Sequence, residues 1–353
     1  MIVREIVKPP SHVLRDLEIP LVTARGHRPG PTLTLLAGIH GCEYAPMAAL
    51  RGWMRKLDTD RLSGTVRAVL LANPTAFRAR TPFVTPEDGR NLNRCFPGDA
   101  HGSHSEQLAD FLYREFFRGS DALVDLHAGD LVEALTPFTL YEESPVAEES
   151  RELAVAYGLP FAIRQARAGA TVTGSAFGAA TRAAIPAIIA EAGGCGLVTA
   201  EAVRAHTTGL TRVLHHLDML PSGPSEAPSA PAEVRHMTRF TWLHTPATGW
   251  WEPAAGPGRE VRTGAHLGSV LDPFGDELRM ITAPEDGVVV FQTSSPAVEA
   301  DGLLLALAGG EIRPDRTGRR GPGARVSSKP GNPSHRPPAR TPAPGSRSRI
   351  RHR

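Results

Sequence analysis

The sequence predicts an α/β fold: a layered domain around a mainly parallel sheet, followed by a small β domain and a basic tail. Three stretches carry this expectation. LTLLAGI (33–39) is a continuous apolar run, as expected of a strand buried on both faces. YAPMAALRGWMRKL (44–57) repeats its apolar residues at helical intervals. GTVRAVLLANP (64–74) reads as a turn, a second buried strand and a stop at Pro74. Strand, helix and strand in that order form the unit from which parallel sheets are built.

The remaining elements follow in order. VLRDLEIPLVTARG (13–26) alternates as a strand does, and GHRPGP turns the chain. Residues 75–103 offer no regular element, and a structureless loop that long in a compact domain is usually functional. HSEQLADFLYREFF (104–117) is helical in period, and Ala122–Leu126 is a short buried strand running into His127. Helices are expected over 146–158, stopped by Gly-Leu-Pro, over 175–184, and over roughly 199–219. PAIIAEAGG (186–194) is another buried strand, ending in an acid and two glycines.

These elements place one domain at 1–220, a Pro/Ser/Ala linker at 221–232 and a β domain of short alternating segments at 233–309. Residues 310–353 are rich in Arg, Pro, Gly and Ser and nearly devoid of large apolar side chains, so disorder is expected there.

Charge is divided unevenly. The 353 residues carry a formal +2, but 311–353 hold 12 Lys and Arg against 2 Asp and Glu, leaving 27 against 35 elsewhere. The body is acidic, so its basic partner-binding potential is confined to the tail, which lacks aromatic residues for stacking on bases. Three cysteines (Cys42, Cys95, Cys195) at no zinc-ribbon spacing fit a reducing compartment. The N-terminus has no signal-like apolar run, and no stretch approaches the ~18 apolar residues of a membrane span. The expectation is a cytoplasmic protein without membrane contact; a homo-oligomer is compatible with the sequence.

The chemistry gathers at strand ends. His40 and Glu43, in HGCE, follow the first buried strand, and His127 ends a second. Three such groups with one open position are the usual set for a catalytic zinc ion. Functional residues of open α/β sheets collect beyond the carboxyl ends of strands. Asp125 is either a partner of His127 or a structural polar group, and Glu191 stands at a third strand end.

AGIHGCEYAP, NLNRCFPG, ALVDLHAGD and IPAIIAEAGG, in this order and spacing, resemble the succinylglutamate desuccinylase/aspartoacylase family of zinc hydrolases, related to zinc carboxypeptidases. The likeness extends over roughly residues 20–309. It implies a three-layer, carboxypeptidase-like α/β domain with a central mixed sheet, followed by a small β domain. It implies that His40, Glu43 and His127 bind one Zn2+ and that Glu191 is the general base for the zinc-activated water. Asn93 and Arg94 match the family pair that holds the substrate carboxylate. The family's carbonyl-polarising arginine falls best on Arg80, with Arg78 and Arg90 as alternatives. The implied activity is hydrolysis of a small N-acyl amino acid or related carboxylate.

Two other readings stand beside it. A carboxypeptidase acting on peptides would share the metal site. A nucleic-acid or acidic-partner binder would act through the tail, non-specifically and with strong salt dependence. Cys42 departs from the acidic or polar residue common in relatives. It is either a small buried residue or, with Cys95 and Cys195 beside other site motifs, a redox-sensitive one. Trp250 and Trp251 read as core or interface, His101 and His104 as surface, and His206, His215 and His216 as helix residues without metal-like partners.

Overall fold

The computed structural model describes residues 1–166, 173–221 and 233–311. The linker and tail expected at 221–232 and 310–353 therefore lie almost wholly outside the described residues.

In chain order the main strands are β1 (Ile2–Val7), β2 (Ile19–Arg25), β3 (Arg28–Ala37), β4 (Ser63–Val69) and β5 (Ala122–His127). They are followed by β6 (Glu133–Leu135), β7 (Phe138–Glu142), β8 (Phe161–Gln165), β9 (Ala187–Glu191) and β10 (Arg235–Met237). The helices are α1 (Tyr44–Met54), α2 (Pro74–Ala79), α3 (His104–Leu112), α4 (Ala147–Tyr157), α5 (Ala176–Arg182) and α6 (Ala200–His216).

Nine strands form one sheet in the order β1-β2-β4-β3-β5-β9-β7-β8-β10. Its centre, β4-β3-β5-β9, is parallel. β2 joins it antiparallel, and β7 reverses direction beside β9. The sheet is thus mixed, with a parallel core where the buried strands were expected.

The apolar runs bury both faces. Leu36 and Leu123 face one core, with Phe116, Phe117 and Phe177. Leu33, Leu35 and Val124 face the other, against α1, α4 and α6. This is the period-2 alternation of a strand covered on both sides.

The later strands are β11 (Arg239–His244), β12 (Gly249–Pro253), β13 (Glu260–Val261), β14 (His266–Leu271), β15 (Glu277–Thr282), β16 (Gly287–Thr293), β17 (Ala297–Val298) and β18 (Leu303–Gly309). They form two antiparallel sheets, β11-β18-β16-β13 and β15-β14-β12-β17. The partition by sequence is crossed twice. β10, beyond the linker, pairs with β8 in the large sheet, and β6 pairs with β16. Trp251 is buried in the core of these sheets while Trp250 is exposed.

Three expectations change. Residues 75–103 are not without structure: α2 begins at Pro74, and a 3-10 turn spans Leu92–Arg94. Pro74 starts a helix instead of merely ending a strand, because Asn73 caps it and proline suits the first turn. The helix from His104 ends its regular α-turns at Leu112 and continues as a wider turn through Phe117. No described helix is long and apolar enough to cross a membrane.

Candidate functional site

β3 and β5 lie side by side and parallel, so His40 and His127 emerge at the same sheet edge. Glu43 closes the gap as the residue preceding α1. Gly41 lets this turn form: a Cβ there would lie 2.2 Å from the backbone of Ala76. His127 pairs in register with Glu191 on β9, which fixes those two side chains as neighbours. Asp125 and His127, two apart, project from the same face of β5.

The donor atoms converge on the Glu43 carboxylate. His40 Nδ1 is 2.6 Å from Oε1, and His127 Nδ1 is 2.9 Å from Oε2. Oε2 also accepts a hydrogen bond from the Ala128 N–H at 3.1 Å. One ligand atom from each of the three residues lies within 4.8 Å of the others.

The far ring nitrogens are held as well. Asn91 Oδ1 accepts from His40 Nε2 at 3.1 Å. Asp125 Oδ1 lies 3.0 Å from His127 Nε2, without the alignment of a straight hydrogen bond, and Asp125 is wholly buried. Fixing the far nitrogen leaves Nδ1 of each ring as the ligand atom.

Burial alone would raise the Glu43 pKa, but the flanking imidazoles outweigh it and bring it down to about 2. Burial would depress both histidines; Glu43 outweighs it at His40, and Asp125 with Glu43 does so at His127, so both are raised. A divalent cation would compete with protons for these ring nitrogens, and Glu43 favours either positive charge. The donor set therefore fits zinc in residue type, number and second-nitrogen partners.

These side chains line a cavity of about 400 Å3. Glu191 and Arg94 also face it. Burial pushes Glu191 well above the ordinary carboxylate range, with His127 the main opposing influence, and its Oε2 is buried without a hydrogen-bond partner. Arg94 Nη1 donates to the Asn93 carbonyl at 2.8 Å, and the guanidinium has no carboxylate partner among the described residues. Asn93 is buried between neighbours: its Oδ1 accepts from the Ala176 N–H at 2.8 Å, and its Nδ2 lies 3.3 Å from His127 Nε2.

The structure thus brings together His40, Glu43, His127, Glu191, Asn93 and Arg94. Arg80 is not on the cavity wall. It is exposed and ends α2 in the left-handed conformation, close enough for its charge to act on Cys42 and Tyr44. Arg78 is also off the wall, and Arg90 pairs with Glu106 at 2.8 Å. Cys42 and Cys95 are buried, and burial pushes both thiols up. His101 is exposed and His104 partly so, while His206 is buried against Tyr157.

Several lining residues escaped the sequence reading. Asn91 belongs to the same NLN segment as Asn93, and its polar side chain could have been noticed there. Glu133 sits in a three-residue strand without any motif. Phe138, Phe240, Trp242 and Phe291 form an aromatic wall, drawn from β7, β11 and β16. Only long-range pairing brings them to the cavity.

The model of the succinylglutamate desuccinylase/aspartoacylase catalytic domain matches residues 29–217. N-alpha-acetyl-L-2,4-diaminobutyric acid deacetylase of Halomonas elongata is 30% identical over 293 residues, covering 81% of this chain and 84% of that protein. Succinylglutamate desuccinylase of Pseudomonas paraeruginosa is 31% identical over 224 residues, 60% of this chain and 64% of that protein. Among solved structures, a succinylglutamate desuccinylase/aspartoacylase from Rhodobacter sphaeroides superposes with a TM-score of 0.78 at 27% identity, covering 89% of this chain and 96% of that one. The ectoine utilization protein EutE from Ruegeria pomeroyi, at 23% identity and a TM-score of 0.78 over 88% of this chain and 95% of that one, shares the fold.

Proposed function

The chain belongs to the succinylglutamate desuccinylase/aspartoacylase family, and from that premise we propose that it hydrolyses the amide bond of a small N-acylated amino acid, with one zinc ion as cofactor. The observation that carries this reading is what meets in one cavity: a His-Glu-His donor set, the unpartnered acid of Glu191 and the guanidinium of Arg94.

His40, Glu43 and His127 would hold the zinc. When bound there, zinc polarises a carbonyl oxygen and lowers the pKa of water toward ~7. Glu191 would take a proton from the attacking water and return it to the leaving nitrogen. Its place beside His127 in the sheet register keeps that carboxylate at the reacting end of the cavity. Arg94 would receive the substrate carboxylate through paired N–H groups. Asn93 uses Oδ1 to brace the start of α5, leaving Nδ2 to donate to the bound carboxylate.

The acyl group would lie against the aromatic wall, which excludes water from the reacting bond. Arg94 is the one Lys or Arg among the described residues lining the cavity. One guanidinium suits one carboxylate, so an uncharged acyl group such as the acetyl of the Halomonas relative fits better than the succinyl of the Pseudomonas one. Among the described residues, nothing on the wall beside Phe240 and Trp242 supplies a second cation.

Glu191→Gln in the zinc-loaded protein should lower turnover on N-acetyl amino acids by about 10²- to 10⁴-fold, as loss of a general base does. Zinc content should stay at the wild-type level. A variant with near-wild-type turnover would refute the assignment. A parallel screen of N-acetyl, N-succinyl and N-formyl amino acids against dipeptides identifies the substrate class.

A further inference from the structure

Glu133 has no part in the reaction described above, yet it lines the same cavity. Its backbone is pinned. The Glu133 N–H donates to the Asp130 carbonyl at 3.1 Å, and the Glu133 carbonyl accepts from the Cys195 N–H at 2.9 Å. Glu133 also pairs with Thr293 in the β6–β16 ladder. A Cβ on Gly129 or Gly194 would stand 2.4 or 2.3 Å from the Glu133 carbonyl oxygen. β6 is therefore pressed against the two turns that follow His127 and Glu191.

The other acids nearby have their oxygens occupied or their role assigned. Glu43 faces the two imidazoles. Asp130 accepts from the Phe83 N–H at 2.8 Å and the Leu131 N–H at 2.6 Å, one with each oxygen, and holds two loops together. Glu191 serves as the base. Glu133 differs. Its Oε2 accepts from the Asp130 N–H at 2.9 Å, while Oε1 accepts no hydrogen bond from any described residue. No described Lys or Arg pairs with it. A turn-stabilising role needs only one of those oxygens. Burial pushes the Glu133 carboxyl up to about 7, and a cationic ligand beside it would hold it ionised.

Resting on the deacylase reading, we propose that Glu133 is a specificity-determining residue that receives a second, positively charged nitrogen of the substrate, so that the preferred substrates are N-acylated diamino acids. The charges of the cavity then each have a partner. Arg94 takes the carboxylate, Glu133 takes the ammonium, and the aromatic wall takes the acyl group. An acidic substrate side chain would meet Glu133, Glu43 and Glu191 together and be repelled.

The test uses the zinc-loaded full chain and matched acetylated substrates. Nα-acetyl-2,4-diaminobutyrate and Nα-acetylornithine are compared with their neutral counterparts, N-acetyl-2-aminobutyrate and N-acetylnorvaline. A charge-assisted hydrogen bond predicts kcat/KM higher for the ammonium-bearing member by about 10- to 100-fold, chiefly through KM. Glu133→Gln keeps an acceptor for the Asp130 N–H and should bring the ratio within about threefold of unity. A wild-type ratio near one overturns the proposal whether or not the variant folds, and leaves deacylation standing. A variant that keeps the wild-type ratio overturns it equally. Failure of the wild type to cleave any of the four compounds overturns the deacylase reading and this proposal with it.

Discussion

Replacing Arg94 with Met separates substrate anchoring from stability. The guanidinium has no carboxylate partner among the described residues, and its one hydrogen bond goes to the neighbouring Asn93 carbonyl. Desolvation holds its pKa below the ordinary arginine value, so the folded protein gains little from the charge. Removing it leaves no orphaned acid behind, and the melting temperature should move by less than about 2 °C, as for other side chains outside the packed core. Binding should respond very differently. Two charge-assisted hydrogen bonds to a substrate carboxylate are together worth about 3 kcal/mol. That predicts a loss in kcat/KM of roughly 150-fold. Because the carboxylate is as charged in the ground state as in the transition state, most of the loss should fall on KM. Steady-state kinetics on the best N-acetyl amino acid, beside thermal melts of the same preparations, measure both. Unchanged KM with reduced kcat would refute the anchoring role, and a large drop in melting temperature would show that Arg94 is structural.

Other consequences can be checked. Chelation should lower the melting temperature, since zinc at 100 times its Kd stabilises the folded state by about 2.7 kcal/mol, roughly 5 °C here. Glu43→Gln should abolish that zinc-dependent shift, and a shift of wild-type size would remove Glu43 from the ligand set. His206 is fully buried, with Nδ1 accepting from Tyr157 OH at 2.9 Å and Nε2 donating to the Ala192 carbonyl at 3.0 Å. Burial lowers its pKa from 6.5 to about 4. The unfolded chain therefore takes the proton first as pH falls. Stability is full above ~6.5 and is lost progressively toward about 4, reaching about 2 kcal/mol by pH ~5. Urea midpoints should consequently fall more steeply with acid in the wild type than in His206→Gln; equal losses would contradict this. Because burial raises the Cys42 and Cys95 thiols, iodoacetamide near neutral pH should spare both and leave activity intact. Mass spectrometry showing rapid alkylation of Cys42 with loss of activity would establish the redox-sensitive alternative.

The legible part of the site was local in the chain. His40, Glu43, His127 and Glu191 follow apolar runs that only a doubly buried strand explains, so their meeting at one sheet edge could be argued from sequence. Asn93 and Arg94 came with them through the family resemblance. The illegible part depends on distant pairings. β6 has three residues and no pattern of its own, and it becomes a strand because β16, some 150 residues later, pairs with it. Glu133 reaches the cavity through that pairing. Arg80 shows another limit: sequence order places it near the site, but the left-handed end of α2 leaves it exposed and off the cavity wall. Asn73-Pro74 was readable as a helix start, cap then proline, and the reading as a strand stop used only half of that signal.

This division has a chemical consequence. The proposed zinc donors and general base lie on β3, β5, β9 and the turns beyond them, inside a parallel core whose register is fixed by burial on both faces. The groups that would read the substrate come from elsewhere: Arg94 from the loop before α3, Glu133 from β6, and Phe240, Trp242 and Phe291 from the later strands. The cross-pairing of β6 with β16 makes those strands part of the cavity and not an appendage to it. Changes along β6, β11 and β16 can alter which amine and which acyl group fit while His40, Glu43 and His127 stay in place. On the proposed reading, specificity would be set by Arg94 and by strands that supply the cavity's walls and none of its metal donors.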